Sequence, residues 1–101
     1  MRALLKDYAR VWVCDESPDA DTTVIRRAGD RDSVGQVLTA SAFSGNICIK
    51  PLDNERLYPK YLFYAMQWVH SQGYWRALCG SRARCSIGVS DVEGIGIQPT
   101  T

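Results

Sequence analysis

The segment Tyr58-Pro59-Lys60-Tyr61-Leu62-Phe63-Tyr64-Ala65-Met66-Gln67-Trp68-Val69-His70-Ser71 is where the period of the chain changes. Leu62, Ala65, Met66 and Val69 stand at i, i+3, i+4 and i+7, the spacing of one helical face. Pro59 suits the first turn of a helix, where its missing N–H is not needed. The spacing predicts a helix over 59–71. Gly73 breaks it. A second short helix over Tyr74–Cys79 stops at Gly80, which takes a left-handed cap conformation without a side-chain clash. Ser81-Arg82-Ala83-Arg84 then reads as a loop.

Upstream of this helical pair the pattern is that of strands. Val11-Trp12-Val13-Cys14 is β-branched and aromatic, which fits a pleated surface, although Leu4, Leu5 and Tyr8 also fit one helical face. Thr22–Arg26, Val34–Thr39 and Ile47–Ile49 are further strand candidates. Gly35 inside the second of these marks a bulge or a close approach, and Pro51 ends the third. Asp15–Asp21, Ala28–Asp32 and Ser44–Asn46 carry turn residues. Downstream, Cys85–Val89 is extended. Ser90 or Asp91 caps one helical turn, and Ile95–Ile97 is a last strand closed by Pro99. Strands, then helices, then a strand give an α+β fold: a small mixed sheet of short strands followed by a helical pair and a closing strand. At 101 residues the chain reads as a single domain.

Tyr58–Ser86 holds seven of the ten aromatic residues, carries Lys60, Arg76, Arg82 and Arg84, and contains no Asp or Glu. Helical spacing assigns most of these aromatics to the core, leaving Tyr64, Tyr74 and Trp75 as candidates to face outward. The cations gather beyond Gly73. Net charge is only +1, so any electrostatic partner must be met by this segregation rather than by the total.

Catalytic signatures are weak. His70 is the only imidazole, and it reads as a hydrogen-bonded or core histidine. No phosphate-loop, dinucleotide or nucleophile-elbow motif occurs. The four cysteines, at 14, 48, 79 and 85, allow three disulfide pairings. A charged N-terminus unlike a signal peptide favours free thiols and a cytoplasmic protein. Cys79 and Cys85 with Cys14, Cys48 or His70 form no recognisable zinc spacing, so no metal or other cofactor is expected. No run of about 20 apolar residues is present to span a bilayer.

The Gly80–Arg84 loop has a better physical case. Arginine presents a planar fork that matches phosphate oxygens or the edge of guanine, and small neighbours let a ligand approach the backbone. A solvated loop with two exposed arginines is the plainer alternative. Several stretches then fall in a familiar order. They are Thr23-Val24-Ile25 with Gly29 and Gly35, Ile47-Cys48-Ile49-Lys50-Pro51, Tyr61-Leu62-Phe63-Tyr64-Ala65-Met66, Gly80-Ser81, Ser86-Ile87, and Asp91-Val92-Glu93-Gly94-Ile95-Gly96-Ile97-Gln98-Pro99. Over Thr22–Pro99 this order resembles the C-terminal half of the target-recognition domain of type I restriction–modification specificity subunits.

That resemblance implies a truncated domain of this type. It implies a non-enzymatic module that reads double-stranded DNA and hands its specificity to a partner methyltransferase and nuclease. It carries DNA contact onto Ser81, Arg82 and Arg84, with Arg76 and Lys60 on backbone phosphates. The rival reading is a protein–protein interaction module, such as a phage-encoded inhibitor of a host defence complex or a structural subunit, since exposed aromatics and arginine anchor such interfaces. A third is a metal-dependent enzyme using Cys79 and Cys85.

Overall fold

A computed structural model describes residues 3–97, so Pro99 lies outside the described residues. The fold is α+β. Its strands are β1 (Ala3–Leu4), β2 (Ala9–Val13), β3 (Thr23–Ile25), β4 (Ala28–Asp30), β5 (Val37–Leu38), β6 (Ile47–Pro51), β7 (Arg84–Ser86) and β8 (Gly96–Ile97). Its helices are α1 (Pro59–Ser71), α2 (Tyr74–Cys79) and α3 (Val89–Glu93), with short 3-10 turns at Leu5–Asp7 and Ala40–Ala42. The described strands form a four-stranded sheet in the order β2-β6-β3-β5 and two ribbons, β1-β8 and β4-β7. Each pairing among them is antiparallel.

Central β6 is buried almost throughout, because both of its faces are covered. Alternation sends Ile47 and Ile49 into the main core with Val11 and Ile25, under Leu62, Met66 and Val69 of α1. The opposite face carries Cys48, Val24 and Cys14, packed with Trp12, Leu38 and Phe43. Shifting β6 by one residue would exchange these two sets, so burial fixes the register.

Trp75 of α2 is the largest fully buried side chain, 1% exposed. Its ring lies on Gly35: a Cβ there would stand 1.9 Å from Trp75 Cδ1. Gly35 also has φ +80°, a left-handed conformation that a side chain disfavours. The close approach expected at Gly35 is therefore this one. The indole N–H has no hydrogen-bond partner among the described residues. Leaving it unpaired costs about 1–3 kcal/mol, while burying a Trp ring contributes roughly 4–6 kcal/mol at ~25 cal/mol per Å². Packing wins.

The two main helices fall where periodicity places them, separated by left-handed Gly73, φ +77°. Several expectations fail. Ala28–Asp30 is not a turn but a strand, because β7 returns to pair with it. Arg84 is the first residue of β7 rather than part of the loop. Leu5–Asp7 makes only one 3-10 turn, since Ala3 and Leu4 pair with β8. Gly88, not Ser90 or Asp91, precedes α3; the Asp91 carboxylate reaches back to accept the Gly88 N–H at 2.8 Å.

The aromatic assignment holds for Tyr64 and Tyr74, which are exposed, and fails elsewhere: Trp75 is in the core, whereas Tyr58, Tyr61, Phe63 and Trp68 are exposed too, Trp68 by 63%. Tyr61, Tyr64 and Trp68 share one side of α1 at i, i+3 and i+7, about a third of a turn away from the Leu62–Met66–Val69 stripe. The core takes that narrow stripe and leaves the remaining rings outside. Free thiols are corrected for one pair: Cys79 and Cys85 form a disulfide, with Cα atoms 5.8 Å apart, while Cys14 and Cys48 are free and buried. Gly80, with φ +65° and ψ −132° rather than the left-handed helical cap expected, reverses the chain at the end of α2, and β7 carries Cys85 back against Cys79. No helix among the described residues is long and apolar enough to cross a membrane.

Candidate functional site

The arginine loop sits at a corner built from the end of α2, the β4–β7 ribbon and the Asp30–Ser33 turn. Gly80 through Arg84 are all exposed. Arg82 does not project freely. Its Nε–H donates to the Cys79 carbonyl at 3.0 Å, and its guanidinium lies 3.8 Å from Cys85 Sγ. Arg84 stands opposite Asp30 in the ribbon register. Asp30 is held below the usual carboxylate range, chiefly by hydrogen bonds from Ser33, then from the Asp32 N–H and by the charge of Arg84.

Arg76 belongs to the same corner. Its Nε lies 3.3 Å from Asp32 Oδ1, with both side chains largely exposed. Asp32, His70, Ser71, Gly73 and Arg76 line a cavity of about 230 Å³. His70 Nε2 is 2.9 Å from the Asp32 carbonyl oxygen, which accounts for that ring as a structural contact. Ser81 is exposed on the turn after Gly80.

Four of the five expected site residues, Arg76, Ser81, Arg82 and Arg84, are thus brought together. Lys60 is not. It sits in the first turn of the 13-residue α1, a helix about 20 Å long, and its partners at the far end are different. There it lines a cleft of about 320 Å³ with Asp21, Thr22, Thr23, Phe63 and Tyr64.

Sequence reasoning missed Arg31. Its N–H donates to the Ala83 carbonyl at 3.3 Å and its guanidinium reaches the Gly80 carbonyl at 3.5 Å. It also missed the two acids beside the loop. Tyr58–Ser86 is acid-free along the chain, but Asp30 arrives from the last residue of β4 and Asp32 from the turn that follows it. Charge segregation in sequence is only partial segregation in space. The signal was present as Asp30-Arg31-Asp32, an alternation suited to facing a mixed or basic neighbour.

The corner offers three arginines and Arg31 in exposed or half-exposed positions, beside two carboxylates. It holds no nucleophile–base pair. The disulfide removes the thiolates a metal site at Cys79 and Cys85 would need, and the described residues contain no metal-ligating cluster. What such an arrangement does chemically is accept an anion, with the acids screening the arginines in its absence.

No family model matches the chain, and no curated protein matches it. Among solved structures it is similar to the crystal structure of a type I restriction–modification system S subunit from M. genitalium, with a TM-score of 0.66 at 14% identity. The similarity covers 95% of this chain and 33% of that one, so the chain spans about a third of the S subunit's length. At that identity the fold is what is shared. The overlap is wider than Thr22–Pro99, so the first strands belong to it as well.

Proposed function

We propose that this chain is a non-catalytic, sequence-specific DNA-recognition module of the restriction–modification type. The observation that carries the reading is the fold shared with a type I S subunit over 95% of the chain. The arginine corner supplies the chemistry. Arg76, Arg84 and Arg31 position the duplex through phosphate oxygens, with Ser81 adding a hydroxyl donor. Arg82 or Arg84 touches a base edge. Lys60 meets a phosphate only where a duplex runs along α1. Correspondence to the C-terminal half of a target-recognition domain rests on the order of motifs over Thr22–Pro99. Reaction chemistry comes from a separate methyltransferase partner, in the cytoplasm where the DNA is.

The test is duplex binding followed by fluorescence anisotropy across a salt series. Affinity falls with salt, and each lost phosphate contact flattens the log–log slope by about 0.9. Replacing both Arg82 and Arg84 by Ala flattens the slope. It also removes about 1–3 kcal/mol of discrimination at one base pair if either reads guanine. Undetectable binding at low salt, or a double variant that binds like the parent, overturns the reading.

A further inference from the structure

We propose that the Cys79–Cys85 disulfide is a redox lock on the arginine loop, so that reduction by a dithiol loosens Gly80–Arg84 and weakens DNA binding. The inference rests on the DNA-binding reading of this corner.

Beyond the β4–β7 pairing that holds Arg84 opposite Asp30, the loop has little else to hold it. None of its residues from Gly80 to Arg84 is buried, so no apolar contact of its own fixes its shape. Its tethers converge on the disulfide. Cys79 ends α2, Cys85 is the central residue of β7, and they are six positions apart. Arg82 is folded over this bridge, bonded to the Cys79 carbonyl at 3.0 Å and lying 3.8 Å from Cys85 Sγ. The contacts from Arg31 to Ala83 and Gly80 are long, 3.3 and 3.5 Å. Opening the bridge removes the covalent tie between α2 and β7 over which the Arg82 side chain lies. Segments held by few buried contacts open locally most easily.

The step is thiol–disulfide exchange. A thiolate of the dithiol attacks Sγ of Cys85, the more exposed partner at 8% against 1% for Cys79. The S–S bond breaks, and Cys79 leaves as a thiolate and takes a proton. The second thiolate of the reductant then displaces Cys85 from the mixed disulfide. Two thiols remain on the protein and the reductant leaves as its own disulfide. Cys48 is a poor competitor in this exchange. Burial, with hydrogen bonding to Cys14, pushes its thiol up to about 12, so little thiolate forms.

The experiment compares oxidised protein, the same protein reduced with dithiothreitol, and the double variant Cys79→Ser/Cys85→Ser, all checked for folding by circular dichroism. Trypsin cleavage after Arg82 and Arg84, mapped by mass spectrometry without DNA, reads the loop directly. Duplex affinity reads its function. Reduced protein is expected to be cut about tenfold faster in the loop and to bind about tenfold more weakly, with the double variant matching it. Unchanged cleavage overturns the lock, whatever the protein binds. Faster cleavage with unchanged affinity overturns the gating alone. A protein that binds no duplex in either state overturns the DNA-binding reading, and the gating with it. Should the serine variant fail to fold, the reduced parent protein decides.

Discussion

The four-stranded sheet and the arginine corner are held by different physics. The sheet is buried on both faces. Ile25, Ile47 and Ile49 lie under α1 on one side, and Val24, Cys14 and Cys48 lie on the other. At the corner, the exposed loop depends on the short β4–β7 ribbon, one disulfide, the hydrogen bonds of Arg82 and Arg31, and an exposed ion pair between Arg76 and Asp32. Apolar burial is strong and non-directional, whereas exposed polar tethers are weak but fix direction. The region proposed to meet a ligand is thus the one whose shape can change without unfolding the rest.

The largest effect that would sharpen this contrast is at the junction of the two regions. Trp75 is in the core, yet it stands four residues before the Cys79 that anchors the loop. Trp75→Ala is expected to remove about 3–5 kcal/mol of stability, as for other buried aromatic truncations. The measurement is urea unfolding at neutral pH. A loss below about 1 kcal/mol would mean that the core does not close over Gly35, and the contrast between the two regions would collapse.

How far the sequence discloses this architecture depends on which interactions are local. The bounds of α1 and α2 were legible because Pro59, Gly73 and Gly80 act on their own backbone, and the Leu62–Met66–Val69 spacing names the inward face. The outward position of Trp68 was not. Spacing says which side chains share a face, but not how wide a stripe the sheet has room to cover. Strand β4 was hidden because Ala28-Gly29-Asp30 has turn composition and becomes a strand only through β7, far away in the chain. The disulfide was hidden for a related reason. Pairing of Cys79 with Cys85 requires the reversal at Gly80, and the spacing of four cysteines does not say which pair it brings together. At the candidate site, Arg76, Ser81, Arg82 and Arg84 lie close in sequence and so are close in space. Asp30, Arg31 and Asp32 join them by tertiary pairing alone.

A smaller effect tests the other face of the sheet. The Cys48 thiol is pushed up from 9.0 to about 12, first by burial and then by hydrogen bonding to Cys14. An unfolded thiol loses its proton near its ordinary value, while the folded one keeps it. Between these values the folded state holds the extra proton, so stability falls as pH rises and is fully present only below about 9. At pH 10 the loss from this group is roughly 1 kcal/mol. Urea unfolding at pH 8 and pH 10 should show Cys48→Ala losing less stability between the two than the parent does. Equal losses would mean that this face of the sheet is wet, and it would then resemble the corner more than the core.

The smallest stability effect belongs to the corner itself. Arg76 and Asp32 are 60% and 68% exposed at the side chain, with 3.3 Å between Arg76 Nε and Asp32 Oδ1. An ion pair so open to water contributes less than about 0.5 kcal/mol. Arg76→Ala is therefore expected to leave the unfolding midpoint nearly unchanged. On a duplex the same substitution should lower the salt slope by about 0.9, because a phosphate contact and its released counterion are gone. A structural role would give the opposite pattern, a lost midpoint with an unchanged slope. That pattern would place Arg76 with the packed half of the molecule, leaving Arg31, Arg82 and Arg84 as the arginines of the corner free to meet an anion.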